Sequence, residues 1–235
     1  MPDVAGRRRA SLVLPAYNEE AGVRATLAAV AAVDVDGLEI ILVDDASTDA
    51  TAHVALAAGA VVVRHALNRG KGAALRTGVA AARADRIVTM DADATYPATA
   101  IPRVLELLDD HDYVSAARRE GRANIPLVNR LGNAAIATAI RLLSGSRLAD
   151  PLTGMYGIRR SAFLELHPAS DGFAIETEVA MKAAGRSLRT AQVWIEYGTR
   201  EGQSKLRPIR DGIDIARTIL AVALEARALR RRTAY

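Results

Sequence analysis

Along the first half of the chain, short apolar runs alternate with Ala-rich stretches of helical spacing. Ala10 to Leu14 is an apolar run stopped by Pro15, which predicts a short buried strand. Glu19 to Ala32 follows as a helix, with Asn18 as its expected N-cap. Leu38 to Val43 repeats the buried-strand pattern and ends in Asp44-Asp45. Ala50 to Ala58 then predicts a helix closed by Gly59. Val61 to His65 predicts a third strand, Asn68 to Gly72 a loop, Ala73 to Ala82 a helix, and Arg86 to Met90 a fourth strand. Strand–helix alternation with short links predicts a parallel sheet covered on both faces. Right-handed crossovers put the carboxyl ends of these strands on one rim. The loops at Pro15, Asp44, Asn68 and Asp91 are therefore expected to converge.

The second half is less regular. Ile101 to Asp109 reads as a helix, Tyr113 to Ala116 as a strand, and Pro126 to Leu143 as a long helix. Ser144 to Gly157 reads as a link rich in Gly, Pro and Asp. Helices are expected over Arg159 to Leu166 and Ile175 to Ala184, and Thr190 to Tyr197 alternates like a strand. Ile209 to Arg232 predicts an amphipathic terminal helix. No internal repeat or linker interrupts the pattern, so the expectation is one α/β domain after a basic tail over residues 1–9.

Composition narrows the function classes. Half of the 235 residues are hydrophobic and a quarter charged, an ordinary globular balance. Cys is absent, which excludes disulfides and Cys-based zinc sites and fits a reducing, cytoplasmic compartment. No run approaches the ~20 apolar residues that span a bilayer. The net charge of +4 comes from dispersed Arg, with no aromatic interleaving, so nucleic acid is not an expected partner. Arg7-Arg8-Arg9 and Arg230-Arg231-Arg232 are solvated tails or contacts to an anionic membrane face. The oligomeric state has no signature in the chain.

The chemistry concentrates at Asp91-Ala-Asp93, which follows the strand at Arg86. Side chains at i and i+2 of a strand point the same way, so two carboxylates are expected to project together at the ligand-binding edge of the sheet. Their mutual repulsion is relieved by a hard divalent cation such as Mg²⁺ or Mn²⁺. Taken alone, such a pair is better explained as an Asp-rich solvated turn, and only the rest of the chain reverses that reading.

Two further motifs accompany it: Pro15-Ala-Tyr-Asn-Glu-Glu20 after the first strand and Val43-Asp-Asp-Ala-Ser-Thr-Asp-Ala-Thr51 after the second. In this order and context the three motifs resemble the family 2 glycosyltransferases of GT-A fold. Arg118, Asp150-Pro-Leu-Thr-Gly154 and Arg200-Glu-Gly-Gln-Ser-Lys-Leu206 extend the likeness to the dolichyl- and polyprenyl-phosphate sugar transferases. The resemblance implies a mostly parallel, Rossmann-like sheet, with a nucleotide-sugar half over about 10–116 and an acceptor half over about 117–235. It implies metal-dependent, inverting transfer of a hexose, mannose or glucose, from a nucleoside-diphosphate sugar to a polyprenyl phosphate.

Residue by residue, the resemblance puts Pro15, Tyr17 and Glu19 in the nucleoside pocket and Asp44 or Asp45 on the base. Asp91 and Asp93 hold the ribose and the metal–diphosphate, with Asp93 the direct ligand and part of the catalytic set. Lys71, Arg200, Ser204 and Lys205 serve the donor diphosphate. Arg118 and Arg130 receive the acceptor phosphate, a task suited to the bidentate guanidinium. Where relatives often carry Gln, this chain has Thr95, whose hydroxyl still offers an oxygen.

Rival readings remain open. A hydroxyl acceptor, a small metabolite or a glycan, needs a general base, and Asp150 is the first candidate. A nucleotide-sugar-binding protein without transfer activity is a second. The loop Asn68 to Gly72 lacks P-loop spacing, and its glycines serve either a structural turn or backbone approach to the nucleotide. No G-x-G-x-x-G is present, which counts against a nicotinamide dehydrogenase. The four His show no ligand spacing, and Glu176 is an outside candidate for base or donor contact, while Glu178 reads as a helix-opening acid.

Overall fold

The computed structural model describes residues 10–120, 127–200 and 205–232. Seven strands share one sheet: β1 (Ala10–Ala16), β2 (Leu38–Asp44), β3 (Val61–Arg64), β4 (Arg86–Thr89), β5 (Tyr113–Glu120), β6 (Tyr156–Arg159) and β7 (Thr190–Glu196). Their order is β3-β2-β1-β4-β6-β5-β7. Only β6 runs antiparallel, inserted between β4 and β5, and every other neighbouring pair is parallel. The α-helices among the described residues are α1 (Glu20–Ala31), α2 (Thr51–Ala57), α3 (Lys71–Ala81), α4 (Ile101–Leu107), α5 (Leu127–Ser144), α6 (Arg160–Leu166), α7 (Ile175–Gly185) and α8 (Pro208–Arg232).

The period-2 rule sorts the core into two layers. Leu12 and Leu14 of β1, with Leu42 and Val88, meet Val23 and Leu27 of α1, Val54 of α2 and Val104 of α4. Val13, Ile41, Val43 and Ile87 point the other way, onto Leu75 and Val79 of α3, Phe163 of α6 and Val179 of α7. Beyond α7 a third, smaller cluster joins Ile140 of α5, Met181 of α7 and Ile215, Ile219 and Val222 of α8.

Three expectations need correction. The stretch read as a link followed by a helix contains β6. Its four residues are too few to show alternation, and Gly157 in the middle reads as a turn. That glycine is required by packing, since a Cβ there would lie 2.5 Å from Val104 Cγ1 and 3.0 Å from Leu108 Cδ1. β5 runs on to Glu120, so Arg118 lies within a strand and not after one. Asn18 does not cap α1. Its φ is +51°, and its Oδ1 accepts a hydrogen bond from the Thr48 N–H at 2.7 Å. The first N–H of α1, at Glu20, instead donates to Asp49 Oδ2 at 3.2 Å, and the Glu19 N–H donates to Thr51 Oγ1 at 2.9 Å. The loops after β1 and β2 are thereby tied into one rim.

Candidate active site

The carboxyl ends of β1, β2 and β4 open onto a cleft of about 620 Å³. Pro15 lines it from the end of β1, Tyr17 and Glu19 from the loop that follows, Asp45 from the loop after β2, and Lys71 from the start of α3. Asp91 and Asp93 form its floor. Phe173 closes one side, and Arg200, Lys205, Arg207 and Arg210 the mouth. The loops converge as the alternation predicts.

Each carboxylate of the Asp91/Asp93 pair has its own cation. Lys71 Nζ lies 2.6 Å from Asp91 Oδ1 and 2.5 Å from Glu176 Oε1. Arg200 Nη1 lies 2.8 Å from Asp93 Oδ2, and the same guanidinium bonds Glu19. The Thr95 hydroxyl donates to Asp93 Oδ1 at 2.5 Å, and the Thr95 N–H to the same oxygen at 3.1 Å. Thr95 therefore orients Asp93 from beneath. Burial, and then the Asp91 charge, push the Asp93 carboxyl above the usual Asp range, against Thr95 and Arg200. Burial likewise raises Glu176. It disfavours the Lys71 ammonium too, but Asp91 and Glu176 outweigh it and hold that lysine firmly charged.

The donor set fits a small hard cation. Among the described residues no cluster of three or more acidic or imidazole side chains is close enough to hold a metal alone. Mg²⁺ characteristically takes one or two carboxylates and completes its shell with water and substrate phosphate. Asp91 and Asp93 supply that number.

Asp150-Pro-Leu-Thr-Gly154 turns out to be the support of this floor. Thr153 Oγ1 donates to the Ala116 carbonyl at 2.6 Å, and the Gly154 N–H donates to the Tyr96 hydroxyl at 2.7 Å. The Asp91 carboxylate rests against Gly154, where a Cβ would lie 2.7 Å from Asp91 Cγ and closer still to Oδ2. Only glycine leaves room for that carboxylate.

Arg118 and Asp150 are not at the cleft wall. Arg118 Nε and Nη2 donate to Asp150 Oδ2 and Oδ1 at 2.6 and 2.9 Å, and Nη2 also reaches the Leu152 carbonyl at 3.3 Å. Both residues are buried, with the guanidinium 5.4 Å from the Tyr197 ring centroid. Asp150, the first candidate base, thus has both carboxylate oxygens on Arg118, and Arg118, the expected acceptor-phosphate residue, has its guanidinium on Asp150. Residues 32 apart in sequence give no sign of that pairing. Ser204 and the side chain of Arg130 lie outside the described residues.

Asp44 and Asp45 separate. Asp44 is fully buried, accepts the Ser47 N–H at 2.9 Å and lies 3.1 Å from Arg64 Nε, so it shapes its own loop and does not reach the cleft. Asp45 lines the cleft but also organises the next loop, accepting the Arg69 and Gly70 N–H groups at 2.9 and 2.7 Å. His65 Nδ1, at 2.6 Å from Asp45 Oδ1, completes this arrangement in a structural role.

The Asn68–Gly72 loop makes a structural turn against residues 170 and 171, and Asn68, Gly70 and Lys71 of the same loop also line the cleft. The Asp171 carbonyl accepts the Gly72 and Ala73 N–H groups at 2.7 and 3.2 Å, which uses up the start of α3. A Cβ on Gly70 or Gly72 would collide with the backbone carbonyls of Asp171 or Ser170. The close approach is made by the protein's own chain. Glu178 has the structural role expected of it, accepting the Ser170 N–H at 2.7 Å and pairing with Lys182 at 2.8 Å.

Sequence reasoning missed Phe173, Arg207 and Arg210. Phe173 is one of only two Phe in the chain and lies 5.6 Å (ring centroid) from Lys71 Nζ, a cation–π contact. Its scarcity and its place just before a helix were the available signals.

Residues 11–166 match Glycosyl transferase family 2. The chain belongs to that family. It is 33% identical over 219 residues to the dolichyl-phosphate hexose transferase of Haloferax volcanii, covering 92% of this chain and 95% of that one. It is 28% identical over 217 residues to the dolichol-phosphate mannosyltransferase of Mycosarcoma maydis, covering 83% and 73%. Among solved structures it resembles the glucosyl-3-phosphoglycerate synthase of Mycobacterium tuberculosis in complex with Mg²⁺ and uridine diphosphate. The TM-score is 0.72 at 30% identity, covering 94% of this chain and 80% of that one. The same synthase has also been solved with Mn²⁺, uridine diphosphate and glucosyl-3-phosphoglycerate, at TM-score 0.70 and 30% identity, covering 94% and 80%. The family 2 enzyme described here is thus a glycosyltransferase with the GT-A sheet.

Proposed function

We propose that this glycosyltransferase moves a hexose, mannose or glucose, from a nucleoside-diphosphate sugar to a polyprenyl phosphate, with inversion and with Mg²⁺ or Mn²⁺ on Asp91 and Asp93. The carrying observation is the state of the cleft carboxylates. Glu19, Asp91 and Asp93 each face a cation, Asp45 is filled by N–H groups and His65, and Asp211 accepts the Arg207 N–H at 2.6 Å. Among the described residues, each carboxylate lining the cleft already has a partner. A phosphate acceptor is already an anion and needs no general base.

In this reading an acceptor phosphate oxygen attacks the anomeric carbon as the bond from that carbon to the donor diphosphate breaks. The nucleoside diphosphate leaves with the electron pair. The metal, when bound, neutralises charge on the leaving diphosphate. Pro15, Tyr17 and Asp45 hold the nucleoside. Lys71, Arg200 and Lys205 surround the diphosphate, and Arg207 and Arg210 meet the acceptor phosphate at the mouth. The donor side is residues 10–116 supplemented by Phe173, Glu176 and Arg200, and the acceptor side is built from residues 117–235.

The enzyme is proposed to work at the cytoplasmic face of a membrane. No described helix is long and apolar enough to cross one. The exposed Leu220 and Leu224 of α8, beside the exposed Arg227, suit an interfacial contact with anionic lipid.

A second reading is supported by the named substrate of the structural neighbour: an anionic metabolite such as phosphoglyceric acid would use the same Arg rim. Incubation with a panel of nucleotide sugars, offered a short prenyl phosphate or phosphoglyceric acid and read by mass spectrometry, distinguishes them. A prenyl-phosphate sugar is expected. Exclusive glycosylation of phosphoglyceric acid would replace the first reading by the second.

A further inference from the structure

A groove of about 810 Å³ runs along the first turns of α8, and its near end is continuous with the mouth of the cleft. Leu206, Arg207 and Arg210 line both spaces. Ile209, 81% exposed, and Ile213, 48% exposed, form the apolar wall, and Arg217 marks the far end. Positions 206, 209, 210, 213 and 217 fall at the three- and four-residue spacings of one helix face. The exposure is not that of a helix lacking a core side, because Ile215, Ile219 and Val222 of the same helix are buried against α5 and α7. α8 therefore carries a second apolar strip, and this one leads to the site of transfer.

Charge sorts along the groove. Lys205 and Arg210, at the junction with the cleft, have no carboxylate within ion-pair distance among the described residues. Asp211 is turned to the Arg207 N–H, and Asp214 lies 3.5 Å from Arg217. Arg207 and Arg210, followed by the exposed apolar strip of Ile209 and Ile213, complement a ligand with an anionic head and a hydrocarbon tail.

We infer that this groove is the acceptor's chain-binding site: the phosphate sits between Arg207 and Arg210, and the first isoprene units lie along Ile209 and Ile213. The inference rests on the polyprenyl-phosphate reading above and adds the surface that would discriminate a prenyl phosphate from a chainless one. A bilayer surface is the weaker occupant here, because the strip shares Leu206, Arg207 and Arg210 with the catalytic cleft, so a single chain lying on it has its head where the anomeric carbon must be reached.

The test uses the full chain, detergent-free, with nucleoside diphosphate and Mg²⁺, titrated calorimetrically with geranyl phosphate and with ethyl phosphate. Geranyl phosphate is expected to bind roughly tenfold more tightly than ethyl phosphate, a ratio typical of discrimination by apolar pockets. Ile213→Asp should abolish that preference, Ile213→Met should keep it, and Leu56→Asp, at an exposed position of α2 away from the groove, should leave it unchanged. Unaltered nucleoside-diphosphate affinity certifies that each variant is folded. Equal binding of the two phosphates by the wild type, or an Ile213→Asp protein that keeps the preference, overturns the inference. Geranyl phosphate that binds in this way but accepts no sugar leaves the groove standing and removes the acceptor reading. Transfer to geranyl phosphate that is insensitive to Ile213→Asp does the reverse.

Discussion

Arg200 and Asp93 are in direct contact, Nη1 to Oδ2 at 2.8 Å, so the most buried carboxylate of the cleft floor is neutralised by a residue that also bonds Glu19. The guanidinium stands where the positive charge of a metal–diphosphate would otherwise act on Asp93. In the proposed reading, donor binding exchanges one cation for another on Asp93. Glu19 is a second carboxylate on which Arg200 can remain.

That exchange predicts the behaviour of Asp93. Asp93→Asn keeps the shape and the Thr95 contact but removes the charge. It is expected to lower transfer by at least about 100-fold, the scale of losing a metal's charge stabilisation. Thermal melting should be unchanged, and excess chelator should stop the wild type to the same extent. Full turnover by a folded Asp93→Asn enzyme in chelator would remove the metal from Asp93.

Gly154→Ala tests the support of Asp91. The added methyl displaces the Asp91 carboxylate toward Lys71. Mn²⁺ affinity, followed by electron paramagnetic resonance in the presence of nucleoside diphosphate, should weaken about 10- to 100-fold, as for lost orienting contacts around a metal. Unaltered affinity would mean that Asp91 does not hold the metal.

Arg118→Ala removes the guanidinium from the buried Asp150 carboxylate and leaves it the residue-118 backbone N–H. The expected cost is about 3–5 kcal/mol in urea denaturation, the usual penalty for breaking a buried pair. Replacing both partners by apolar residues of similar volume should recover most of it. A loss below about 1 kcal/mol, the range of exposed pairs, would show that the pair opens readily and would return Arg118 to the acceptor.

Glu178 gives a pH test with a definite sign. Burial pushes its carboxyl up, but hydrogen bonds from Lys182, Ser170 and Ala169 outweigh it and hold the group below its ordinary value of 4.5. The folded state therefore binds a proton less readily than the unfolded chain. The contribution is complete above pH 4.5 and is lost as pH falls below it toward the depressed folded value. The stability gap between the wild type and Glu178→Gln should be constant near neutrality, about 1.5–3 kcal/mol for hydrogen bonds to a charged group. It should shrink in acid. A gap that widens in acid would reverse the assigned shift.

The elements legible from the chain were those whose evidence lies in near neighbours. β1, β2 and β4 declare themselves as apolar runs stopped by Pro15, Asp44 and Asp91, and the alternation with α1, α2 and α3 is enough to bring their ends to one rim. The Asp91/Asp93 pair and the loop of Arg200 were visible for the same reason, as residue types at strand ends. β6 was not, because four residues around Gly157 carry no period, and their place depends on α4 packing against them. The roles of Arg118 and Asp150 were likewise invisible. Both sequence motifs were correctly singled out, but whether a buried guanidinium faces a substrate or a carboxylate depends on which chain segment arrives beside it. Arg200 reaches Glu19 across 181 positions and Lys71 meets Glu176 from another helix. Periodicity extends over a few residues, whereas charge pairing is decided by folded distance, and so the chain specified the rim and its carboxylates while only the tertiary structure assigned their partners.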